Sequence, residues 1–194
     1  MRNPLYLTML LPCFLLLACQ DGGDRDTGAG PAPASQSAPA QRAGASALKG
    51  LDSACAIFSD DEIRGFFDIA EGTELKVSRS GQAFPACNYE WGKDLVVRQI
   101  QAGGRDIEVR DPAKVMLVVA PDVTADNFQT STAVYRQPQD VSGIGDMARW
   151  DEGMSQLSFL AGADLFHINV KASSDPAENR RLAEALALQV LEKF

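Results

Sequence analysis

Four cysteines and one histidine are the side chains with the widest chemical reach in this sequence: Cys13, Cys19, Cys55, Cys87 and His167. A serine or cysteine nucleophile needs a base beside it, and His167 is the one imidazole that the chain offers. It falls in LFHINV, where Leu165, His167 and Asn169 alternate with Phe166, Ile168 and Val170. In a strand that alternation turns His167 away from the apolar face. It reads as a solvated histidine, with ligand contact as its functional alternative. No G-x-S-x-G elbow is present, and one histidine with two cysteines is a thin set for a metal. Asp60, Asp61 and Glu62 suit the start of a helix. The DEG at 151–153 reads as a hairpin turn. GIGD at 143–146 lacks the third glycine of a dinucleotide loop and reads as a turn in which Asp146 bonds nearby backbone. DPAKV and PDVTADN lack the alternating acids of a calcium loop. The expectation is a protein with no catalytic residues, no metal and no cofactor.

The cysteines divide by position. Arg2 is the one charge in the first 19 residues, and PLYLTMLLPCFLLLA follows it. That run is shorter than the roughly 20 apolar residues a spanning helix needs. A positive start, a short apolar run and a small residue form a signal peptide, which places Cys13 in a discarded segment. Three cysteines then remain in an exported chain, and the odd one needs a role. Leu16-Leu17-Ala18-Cys19 ends the apolar run and resembles the lipobox of bacterial lipoproteins. That resemblance implies diacylglyceryl transfer to the Cys19 thiol, cleavage between Ala18 and Cys19, and acylation of the new amino group. Two or three chains give stable anchoring where one does not. Gln20, in place of an aspartate, favours the outer membrane facing the periplasm over the inner membrane. Cys55 and Cys87 are left as a pair in an oxidising compartment, so the default is a disulfide. Closing a loop of about 33 residues stabilises by roughly 3–4 kcal/mol.

Residues 1–18 are therefore read as the signal peptide, and 19–47 as the lipidated cysteine and its tether. Between Thr27 and Ala47 the chain is Gly, Ala, Pro, Ser and Thr except for Gln36, Gln41 and Arg42, a composition that cannot offset its ordering entropy. About 28 residues give a coil of roughly 30 Å and a stretched reach near 90 Å. Residues 48–194 form one folded unit of sufficient length for a hydrophobic core. The formal net charge of −8 argues against nucleic acid, whose phosphates demand clustered cations.

Within that unit Ser59 and Glu62 make a capping box. Ile63, Phe66, Phe67 and Ala70 line the face of a first helix that Gly72 ends. ELKVSRS, CNYEWG, DLVVRQIQA and AKVMLVVAP read as strands; CNYEWG puts Cys87, Tyr89 and Trp91 on one face. Gly103-Gly104 marks a turn, and RDIEVRDP is a short strand or a loop. Thr124 caps a middle helix carrying Phe128 and Tyr135, which Pro138 stops. DMARWDE, SQLSFLAG and DLFHINVKA are three late strands. Asp175, Pro176 and Glu178 open a final helix, with Leu182, Leu186, Val190 and Phe194 along one face. The expected fold is α+β, an antiparallel sheet with the N-terminal, middle and C-terminal helices packed mainly on one face.

CAIFSDDEI, PACNYEW, VSGIGDMARW and LSFLAGADLFHINV together resemble small exported domains of bacterial lipoproteins, best known from actinobacteria. Extracellular sensor domains of mycobacterial serine/threonine kinases are similar. The resemblance implies fold and compartment, including a cysteine before the first helix paired with one in an early strand. It implies no reaction. The function expected is a non-enzymatic binding module, held to the membrane through Cys19, that meets a periplasmic protein or a small ligand. An immunity or inhibitor lipoprotein acting on a toxin or hydrolase is the alternative, and an envelope-polymer enzyme a remoter one. Trp150, Tyr135 and His167 are the candidate contacts, against a plain core role for the aromatics. Trp150, set among Arg149, Asp151 and Glu152, is expected to be partly exposed.

Overall fold

The structure, a computed structural model, describes residues 48–194 apart from 49 and 82. The expected signal peptide, the Ala18–Cys19 cleavage site and the tether lie outside the described residues. The elements are a 3-10 turn at Ala54–Ala56, then α1 (Asp60–Phe66), β1 (Leu75–Ser80), β2 (Ala86–Ala102) and β3 (Arg105–Ala120). They continue with α2 (Ala125–Thr132), β4 (Pro138–Asp140), β5 (Met147–Asp151), β6 (Gln156–Ala161), β7 (Asp164–Lys171) and α3 (Pro176–Glu192). One seven-stranded sheet runs in the order β1-β2-β3-β7-β6-β5-β4, antiparallel at every pairing. It is an α+β fold made of two meanders. The first ends with β3 and the second with β7, and those two strands join them. No helix among the described residues is long and apolar enough to cross a membrane.

Alternation divides the sheet into two faces. On the first face Tyr89, Leu117, Ile168 and Leu157 are buried with Ile63 of α1 and Leu186 and Val190 of α3. On the second face Leu160 and Leu165, partners in register, pack with Phe128 of α2. The helices therefore do not share one face: α1 and α3 lie on the first, α2 on the second. The reason is composition. The second meander carries apolar side chains on both faces at its Leu160–Leu165 end, so both need cover.

The Ser59–Glu62 capping box forms as the sequence dictates. The helix closes sooner than expected, because Asp68 takes the left-handed backbone at φ 49° four residues before Gly72 does at φ 82°, and the Ile69 N–H bonds the Arg64 carbonyl at 2.9 Å. This is a Schellman-type ending. Tyr135 falls outside α2, which ends at Thr132. On α3 the buried stripe is Asn179, Ala183, Leu186, Ala187 and Val190; Phe194, expected within it, is exposed.

The strands expected at 87–92 and 94–102 are one strand, and the 105–112 segment, expected as a short strand or a loop, is strand continuous with the one expected at 113–121. They are bent together at an irregularity between Trp91 and Val96, where Pro112 stands opposite the extra residues. A proline is tolerated in a sheet at such a point. Beyond it β2 and β3 run on as a two-stranded arm, since β1 pairs no further than Trp91 and β7 no further than Lys114. Gly103 and Gly104 turn the arm at φ 59° and 75°, the left-handed pair that a two-residue hairpin loop needs. Cys55 and Cys87 are joined as a disulfide with Cα atoms 4.9 Å apart, which ties the turn before α1 to β2, the strand next to the β1 edge of the sheet.

Candidate functional site

Tyr135 and His167, two of the expected contacts, do meet, but beneath the surface. Ser158 of β6 and His167 of β7 are register partners on the second face. Tyr135 lies over them and is 7% exposed. Gln156 Nε2, which can only donate, bonds the Tyr135 hydroxyl at 2.8 Å. The Tyr135 hydroxyl shares a hydrogen bond with Ser158 Oγ, and Ser158 Oγ shares another with His167 Nδ1. Burial pushes the Tyr135 phenol up and His167 down to about 4, so the whole chain of groups is neutral near pH 7. His167 is half-buried within this network, not the solvated strand histidine expected.

A serine bonded to a histidine is the beginning of a nucleophilic pair. Ser158, however, is 0% exposed, and its hydroxyl is engaged by the Tyr135 hydroxyl as well as by His167. Its oxygen has no approach for a substrate carbonyl. The network is better read as a polar seam that joins β6, β7 and the segment after α2.

Trp150 is 1% exposed and fills the first face opposite Leu157, which corrects the expectation of a partly exposed contact. Its charged neighbours misled: period-two alternation sends Arg149 and Asp151 the other way. Arg149 Nε donates to Asp140 Oδ1 at 2.9 Å, its Nη1 to Thr132 Oγ1 at 2.9 Å, and its guanidinium covers the Phe128 ring. The buried carboxylate of Asp151 accepts the N–H groups of Arg136, Gln137 and Met154 at 2.9–3.0 Å. The turn expected at 151–153 is therefore also a clasp for the loop after Tyr135. Asp146 accepts not from the backbone of its own turn, as expected of GIGD, but from Gly162 N, in the turn between β6 and β7, at 2.7 Å. Gly145 leaves no space for a side chain, since an added Cβ would stand 2.3 Å from the Leu160 carbonyl oxygen.

Open space lies instead on the α1–α3 side. A cavity of about 600 Å3 is lined by Phe66, Phe67 and Ile69 at the end of α1, Trp91 and Leu95 at the bend of β2, and Leu182 of α3. Phe67 and Trp91 stack at a tilt, with ring centroids 4.9 Å apart. Asp68, Glu178 and Arg181 stand at its rim; Arg181 holds Glu178 through two hydrogen bonds of 2.7 and 2.8 Å, and that guanidinium keeps the Glu178 carboxyl below its usual range. An apolar floor with a few polar groups at the mouth is the usual make-up of a small-molecule pocket. The sequence carried one signal of it, the break at Gly92-Lys93-Asp94 between two strands.

Among the described residues no group of three or more His, Cys, Asp or Glu side chains could hold a metal ion. Comparison with known proteins finds no family model that matches this chain, no curated protein that matches it and no solved structure that matches it.

Proposed function

We propose that the chain is an exported, lipid-anchored binding module whose ligand is a small, partly apolar molecule seated between α1, α3 and the bend of β2. The observation that carries this reading is the cavity lined by Phe66, Phe67, Trp91 and Leu182. Its counterpart is the sealed Ser158–His167 pair, which argues against hydrolysis at the chain's single histidine. The compartment rests on the cysteine count. The Cys55–Cys87 disulfide leaves Cys19 as the thiol free for lipid, behind a signal-like run and the Leu-Leu-Ala-Cys motif. The outer membrane is the proposed address, with the domain facing the periplasm.

Native mass spectrometry of the protein extracted from its own envelope tests both parts. The expected species carries two or three acyl chains on Cys19 and a bound small molecule. Cys19→Ser removes the acyl mass, and Leu95→Arg, placed at an exposed side chain on the cavity mouth, removes the ligand. An unacylated Cys19 overturns the anchor. An empty wild-type cavity overturns the small-molecule reading.

The arm supports a second reading, a protein partner such as the toxin or hydrolase of an immunity or inhibitor lipoprotein. Ile100 and Ile107 pair across the arm and remain 38% and 43% exposed, an apolar pair on an open ribbon edge of the kind that added strands recognise.

A further inference from the structure

At the base of the arm the sheet breaks one of its own rules. Lys114 of β3 and Lys171 of β7 stand directly opposite each other in register, on the second face, and neither has an ion-pair partner among the described residues. Like charges in that position destabilise a sheet. The two lysines line a cavity of about 320 Å3 together with Arg98, Asp111, Ser155 and Ser174. Three cations face one carboxylate there, in a chain whose net charge is −8. Arg98 is bound to Asp111 at 2.6 Å; the lysines feel Asp111 and, for Lys114, its register partner Glu90 on β2, but neither carboxylate forms an ion pair with them.

The rest of the wall is rich in donors. Ser174 Oγ accepts the Val97 N–H at 2.8 Å and Ser173 Oγ accepts the Asp175 N–H at 3.0 Å. The hydroxyl protons of Ser155, Ser173 and Ser174 have no acceptor among the described residues. A cavity that offers ammonium and hydroxyl protons suits a ligand made only of acceptors and charged more than once. Departures from local consistency such as this pair mark functional sites.

We infer that the cavity between Lys114, Lys171 and Arg98 is a binding site for a doubly charged oxyanion of the phosphate class, either free or carried on a small molecule or lipid headgroup. The two ammonium groups act as point charges on the anion, and the serines orient it. Burial, and the charges of Lys114 and Arg98, hold Lys171 below its usual range; a bound dianion relieves that strain. The site shares only Ser173 with the aromatic cavity and stands if that reading falls.

The test is calorimetric titration of the full chain with inorganic phosphate and glycerol 3-phosphate in detergent and, freed of detergent, with vesicles containing phosphatidic acid, whose headgroup is a phosphomonoester. Saturable 1:1 phosphate binding that Lys171→Met and Lys114→Met each weaken at least tenfold is the expected result, with Arg110→Gln, on the outer arm, as an unaffected control. Lys171→Met also separates this site from a purely structural pair: without ligand its melting temperature rises, because repulsion is removed, while the rise produced by phosphate in wild type disappears. Tighter glycerol 3-phosphate binding assigns a soluble phosphomonoester as the source, and binding confined to vesicles assigns a headgroup. No saturable binding of any of the three, or binding equal in wild type and Lys171→Met, overturns the proposal.

Discussion

His167 shows how one atom decides the role of a side chain. Its Nδ1 shares a hydrogen bond with the buried Ser158 hydroxyl, which in turn meets Tyr135. Burial lowers its pKa from 6.5 to about 4, so in the window between those values the unfolded chain binds the extra proton and the folded one does not. Stability therefore rises with pH there. The histidine costs nothing above pH 6.5, and about 3 kcal/mol is lost as pH falls through the window. Urea midpoints between pH 4.5 and 7 should show this slope in wild type and a flatter one in His167→Gln. Equal slopes would show that the ring is solvated. Alternation in LFHINV correctly assigned His167 to the face opposite Ile168, but not what covers that face. Tyr135 comes from 32 residues upstream and outside any periodic element, so sequence pattern held no signal for the contact.

The helix starts are legible in the sequence because capping is local. Ser59 and Glu62 are three residues apart, and each satisfies the other's backbone: Ser59 N donates to Glu62 Oε2 at 2.7 Å and Glu62 N to Ser59 Oγ at 3.3 Å. Lys193 reaches the same carboxylate from the end of α3 at 2.6 Å. The Lys193 ammonium first, then the bonds from Ser59, hold the Glu62 carboxyl down to about 2. That contribution is present above the ordinary carboxylate pKa and fades as pH falls toward 2. Ser59→Ala should cost about 1 kcal/mol by chemical denaturation at pH 7; no change would mean that the Lys193 contact alone holds the end of α1. Strand limits were less legible than caps. Gly92 and Pro112 read locally as strand ends, yet they are the two sides of one bend, and only the pairing of distant residues converts two breaks into a single strand. Pro138 likewise reads locally as a helix stop. It opens β4 at the sheet edge, where a missing N–H is tolerated.

At the scale of the molecule the disulfide does what no packing contact does. It spans 32 residues and encloses α1 and β1; the end of α1 and the segment after it supply one wall of the aromatic cavity. The Cys55→Ala/Cys87→Ala variant should lose about 3–4 kcal/mol in urea denaturation, with ligand binding in that cavity falling alongside it; a loss below about 1 kcal/mol would mean that α1 docks as firmly without the bond.

The position of that bond also sets a path for force. A pull applied ahead of Leu48 meets the Cys55–Cys87 link after seven residues and passes through it into β2, a central strand held on both sides. The segment between the cysteines is bypassed, so tension cannot peel α1 from the sheet. The same β2 continues beyond its bend as one strand of the arm. Load entering ahead of Leu48 and load entering at the arm's tip thus meet on one strand, β2.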